Sequence, residues 1–71
     1  MIRRDLYALK VYAHDNYCVE RIFRSRESAR REQKTVANNL RRNFPLVPPI
    51  VVHPADWIVD AYLAAGNKIV D

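Results

Sequence analysis

The chain has 71 residues, 49% of them hydrophobic, and a formal net charge of +4. A domain of this length buries only about 60% of the surface its unfolded chain exposes, which leaves little room for a deep, preorganised catalytic pocket. The apolar content excludes a disordered tail, so we expect one compact domain over residues 1–71, non-enzymatic, with no cofactor and no small-molecule substrate.

Residues 5–24 read as a β-hairpin. "LYALKVYA" and "YCVERIF" are rich in aromatic and β-branched residues, with "HDN" between them. A three-residue loop at His14-Asp15-Asn16, with Asn16 left-handed, gives the more regular register. It pairs Ala13 with Tyr17, Tyr12 with Cys18, Val11 with Val19, Leu9 with Arg21, Ala8 with Ile22 and Tyr7 with Phe23. It also sets Lys10 opposite Glu20 as a cross-strand ion pair.

A helix is predicted from Arg26 to Asn43. Ser25 suits its N-cap, and Glu27 in the first turn and Arg41 and Arg42 near the end complement the dipole. Pro45 closes it, because the residue before a proline avoids helical angles. Ala29, Val36, Leu40 and Phe44 form a narrow apolar stripe, and Arg31, Lys34, Asn38, Arg41 and Arg42 lie on the opposite side.

"FPLVPPIVVHP" holds all four prolines. Proline donates no ladder hydrogen bond, so only Ile50-Val51-Val52 is expected to pair, as a short edge strand. Pro54 suits the first turn of a second helix over "ADWIVDAYLAAG", closed by Gly66. The tail "NKIVD" is either loose or adds a few residues of strand. The expected fold is α+β, order β-β-α-β-α: a small antiparallel sheet, made of the hairpin and a short third strand, with two packed helices.

Positive charge is concentrated on the first helix. Residues 24–43 contain seven basic and two acidic residues, a net of +5, whereas the remainder of the chain has five basic and six acidic, a net of −1. Nine of the twelve basic residues are arginine, whose planar fork binds phosphate or carboxylate bidentately. "SRESARREQ", Ser25 to Gln33, resembles the "NRESARRSR" of plant-type bZIP basic regions over nine residues. It departs where that family reads DNA: Ser25 replaces the base-contacting asparagine, Glu32-Gln33 replace the Ser-Arg pair, and Pro45 and Pro48-Pro49 break any zipper after Leu40. The chain is therefore not assigned to that family.

The charge layout points to an anionic partner, either nucleic acid or an acidic protein surface. Arg24, Arg26, Arg30, Arg31, Lys34, Asn38, Arg41 and Arg42 are the candidate contacts, and an ordinary solvated helix face is the plainer account of the same residues. With no aromatic residue among them, contact with backbone phosphates is favoured over base stacking. The leading expectation is a small regulatory module docking this helix on nucleic acid or on a nucleic-acid-handling complex.

The alternative is a protein-protein modulator or inhibitor, of the kind encoded by phages and mobile elements, acting alone or as a homodimer. The hairpin face with Leu6, Ala8, Tyr12, Cys18 and Ile22 is either covered by the second helix or left open as an interface. Trp57 and Tyr62 are further anchor candidates, although a lone Trp in a tiny domain reads first as core.

Other features carry less. The single Cys18 allows no internal disulfide and fits a reducing compartment. His14, His53, Cys18 and Asp15 match no zinc spacing, so no metal is expected. Asp56 and Asp60 read as helix-start acids. Asp5, Lys10, His14 and Asp15 interrupt any leader-like apolar run, and no 18-residue apolar stretch exists, so neither a signal peptide nor a membrane is expected. A cytoplasmic location follows, the host's cytoplasm if the chain is phage-encoded.

Overall fold

The computed structural model describes residues 1–43 and 47–71, with the side chains of all of these except 40–43. The order is β1 (Tyr7–Ala13), β2 (Asn16–Phe23), α1 (Arg26–Asn43), β3 (Ile50–Val52) and α2 (Asp56–Ala64). The strands form one antiparallel sheet, β2-β1-β3, so β1 is central and β3 lies at an edge. This is the small α+β fold expected from the sequence.

Helices cover both faces of the sheet. On one face Leu6, Ala8 and Ile22 meet Val59 of α2, flanked by Val19, Val52, Tyr62 and Ile69. On the other, Leu9 and Phe23 meet Ala29 of α1, flanked by Tyr7, Val36, Val51 and Val70. Neighbours Ala8 and Leu9 point to opposite faces and are both 0% exposed. That is why β1 shows a continuous apolar run rather than an alternation. Of the expected α1 stripe, Ala29 is buried and Val36 half-buried, whereas the side chain of Leu40 and the whole of Phe44 lie outside the described residues, as does Pro45.

The hairpin register differs from the expected one in its distal half. The turn is two residues, not three: His14 (φ 53°) and Asp15 (φ 64°) are both left-handed, and Asn16 is the first residue of β2. Left-handed angles at both central residues are the type I′ requirement, and Asp and His tolerate them better than most side chains. Ala13 therefore pairs with Asn16, Tyr12 with Tyr17, Val11 with Cys18 and Lys10 with Val19. A bulge between Leu9 and Lys10 then restores the expected pairs Leu9–Arg21, Ala8–Ile22 and Tyr7–Phe23. Glu20 is the extra residue, so Lys10 and Glu20 do not face one another. Because side chains alternate, this one-residue slip turns the distal half of β2 over. Val19 joins the α2 face, and Tyr17 meets Tyr12 edge-on with ring centroids 5.3 Å apart.

The terminal segments are tied in by backbone bonds. Arg24 N–H donates to Val70 O (2.8 Å) and Val70 N–H to Ile22 O (2.9 Å), so the tail adds a single parallel bridge beside β2. Ile2 bridges Ala55, Arg3 N–H donates to Pro54 O (2.8 Å), and Asp56 N–H donates to Met1 O (2.8 Å). Pro54 is not in the first turn of α2. It lies buried, two residues ahead of the helix.

Candidate basic interface

The start of α1 is set as its sequence dictates: Ser28 N–H donates to Ser25 Oγ (3.3 Å) and Ala29 N–H to Ser25 O (3.1 Å). Its roll is fixed from both sides. Gln33 Nε2 donates to Pro49 O (3.0 Å), just ahead of β3, and Glu32 faces Arg21 of β2 (3.8 Å). With Ala29 seated on the sheet between these anchors, the basic residues fall on the solvent side.

Arg26, Arg30, Lys34 and Asn38 are exposed and spaced four apart, so they form one ridge along α1. Among the described residues, none of Arg26, Arg30 and Lys34 takes part in an ion pair. Like charges one turn apart oppose helix formation by a few tenths of a kcal/mol per pair, about 0.2–0.5. This ridge therefore adds nothing to the fold that neutral residues would not supply.

The other candidates differ. Arg31 pairs with Glu27 across one turn (3.5 Å), and Arg24 pairs with Asp71 in the tail (3.2 Å). Arg41 and Arg42 continue the helix, and their side chains lie outside the described residues. The structure thus draws three cations and Asn38 from the eight candidates onto one open line, a grouping already present in their four-residue spacing.

The five apolar interface candidates separate. Ile22 is 0% exposed and belongs to the core beneath α2, so it is not a surface residue. Tyr62 is half-buried against the same cluster, its hydroxyl donating to Lys68 O (3.1 Å). Cys18 is exposed and, after the bulge, lies on the face opposite to the one its expected pairing gave. Tyr12 is 39% exposed beside half-buried Tyr17, whose hydroxyl donates to Pro48 O (3.2 Å). Trp57 is 72% exposed, which overturns the reading of a lone Trp as core. Val59 fills that role instead, at 2% exposed. Tyr17 as the partner of Tyr12 was hidden from the sequence because it depends on the two-residue turn at His14-Asp15.

Of the residues weighed as ligands, His14 sits in the turn, and His53 directs Nδ1 at Leu6 O (2.9 Å) with its ring 5.0 Å from that of Tyr7. A carbonyl at that distance accepts, so Nδ1 carries the proton. Among the described residues, no three His, Cys, Asp or Glu side chains converge on a metal position, and no helix is long and apolar enough to cross a membrane. Arg3 grips Asp5 through two bonds (3.1 and 2.9 Å), which hold the Asp5 carboxyl below the usual carboxylate range, assisted by the residue's own backbone N–H.

The molecule is a small α+β module, a three-stranded antiparallel sheet with a helix on each face and a cationic ridge on the longer helix. No protein-family model, curated protein or solved structure matches the chain.

Proposed function

We propose that the protein is a small regulatory binding module that docks α1 on the phosphate backbone of nucleic acid, alone or within a nucleic-acid-handling complex in the cytoplasm. The observation that carries this reading is the exposed ridge Arg26–Arg30–Lys34, cationic and without ion pairs among the described residues. Its charges span about 12 Å of helix, eight residues at 1.5 Å each. Phosphates contacted at that density bind through counterion release rather than base reading. Asn38 extends the line as a neutral hydrogen-bonding group, and Arg41 and Arg42 lie on the same helix one turn further on.

The test is a mobility shift with duplex DNA and with structured RNA at about 50 and 200 mM salt. Three phosphate contacts imply that affinity falls about 40-fold across that range. Replacing Arg26, Arg30 and Lys34 together by Glu abolishes the shift while circular dichroism stays unchanged. Absence of a shift at the lower salt, or a triple variant that binds as well as the wild type, sinks the reading.

A second reading, a modulator that occludes a protein partner, draws support from the 72% exposure of Trp57. It requires tight binding to a purified protein with little salt dependence.

A further inference from the structure

Trp57 is turned away from the core by the geometry of α2. Val59, the residue that faces the sheet, lies two positions on, ~200° around the helix. Asp60, Ala61 and Ala64 share the outward side with Trp57, and all are exposed. An indole thus stands in solvent beside a carboxylate, with small side chains around it that keep a partner from being held off.

The charge of this surface defines what fits it. The helix α2 contains two acids and no basic residue. Phosphate is repelled there, so the occupant is cationic. Asp56 is already engaged, 3.7 Å from the N-terminal ammonium and 3.9 Å from Arg3. Asp60 feels the more distant charge of Arg3 but, among the described residues, makes no ion pair, so its carboxylate is open to a partner. Trp is the best aromatic acceptor of a cation, and Arg is the usual donor. The chain itself supplies a matching surface, the ridge Arg26–Arg30–Lys34, with cations about 6 Å apart against a Trp57–Asp60 rise of about 4.5 Å.

We infer that the outer face of α2, centred on Trp57 and Asp60, docks on the α1 ridge of a second copy of this chain. Within one molecule the two surfaces cannot meet, because α1 and α2 cover opposite faces of the sheet. Each copy therefore offers a cationic side and an aromatic-acidic side. Such a contact is heterologous and does not close at a dimer; it adds further copies head to tail. Two single-helix faces make a small contact, at the weak end of protein interfaces, so assembly is driven by concentration and screened by salt. The contact uses the same α1 ridge as the proposed phosphate contacts but does not rest on that reading: absence of a mobility shift leaves it intact.

The experiment is light scattering on the full chain from about 10 µM to about 1 mM at about 50 mM salt, with the emission of Trp57, the sole tryptophan, read in parallel. The expected result is an average mass that rises more than about two-fold without a plateau at the dimer, with Trp57 emission moving to the blue. Both changes reverse at about 200 mM salt. Trp57→Ala removes the mass increase. Asp60→Arg and Arg30→Glu each remove it alone, and mixing the two restores it, because contacts between unlike variants again join opposite charges. A one-chain mass with constant emission at every concentration overturns the inference. So does a discrete dimer that Asp60→Arg leaves unchanged, or a mixture of folded single variants that fails to recover.

Discussion

The two helices are held in different ways. The helix α1 is 18 residues long and has its own start signal, the Ser25 cap with Glu27 in the first turn. The helix α2 has nine residues and no side-chain cap, and its first N–H is satisfied by the carbonyl of Met1, brought from the far end of the chain. Its end is closed locally, by Gly66 at φ 90° with Gly66 N–H donating to Leu63 O and Asn67 N–H to Tyr62 O. Isolated helices shorter than about 12–15 residues are marginal in water, so α2 exists because other segments hold it. A helix stabilised from within is free to show solvent a run of like charges. Both helices have their roll set by what they lean on, and on α2, which is surrounded by apolar side chains, the result is a tryptophan in solvent.

The largest effect that would sharpen this contrast is expected at Ile22, fully buried beneath α2. Ile22→Ala should cost about 2–5 kcal/mol. That is a large share of the roughly 4–11 kcal/mol available to a chain of this size. Urea unfolding reads the loss, and hydrogen exchange should show α2 amides losing protection ahead of α1. Equal loss in both helices would break the distinction. A smaller effect is expected from Ser25→Ala, about 1 kcal/mol, with fraying confined to the first turn of α1. Comparable deprotection of α2 would mean that the two are coupled more tightly than their caps imply.

The smallest effect belongs to Asp5, on the segment that supports α2. The hydrogen bond from Arg3 lowers its carboxyl pKa in the folded state. A depressed folded value contributes stability that is present above the ordinary carboxylate range and lost as pH falls through the folded value. Both partners are exposed, so the contribution is slight. Asp5→Asn should flatten the fall in urea midpoint between neutral and acid pH by a small margin, and an unchanged or steeper fall would show that the Arg3 contact carries no pH-dependent stability.

What was legible in the sequence follows the same division. The bounds of α1 coincide with the expected Arg26 and Asn43, because a cap and a charge pattern are both local. The strands and their order were legible from aromatic and β-branched runs and from the prolines that confine β3. The distal register was not. An unbroken ladder through Lys10–Glu20 is the more regular pairing on paper, but a type I′ turn at His14-Asp15 fixes the near pairs, and a bulge reconciles them with the far ones. The orientation of α2 was equally hidden. Trp57, Ile58, Val59, Tyr62 and Leu63 surround it with apolar side chains, so periodicity could not say which side meets the sheet. On the basic ridge the four-residue spacing was visible, but the salt bridges that remove Arg24 and Arg31 from it depend on Asp71 in the tail and on the rotamers of Glu27.

The bulge at Glu20 also makes β2 two strands in one, each with its own inside and outside. Changes at the exposed turn, His14 to Asn16, alter only the hairpin tip, whereas Val19 already packs on the α2-side core and changes after the bulge reach Ile22 and Phe23. The tip is therefore the place to graft a tag, a fluorophore or an added loop without the rest of the molecule registering it, and a substrate for divergence in which the outer hairpin can vary while the inner one stays fixed.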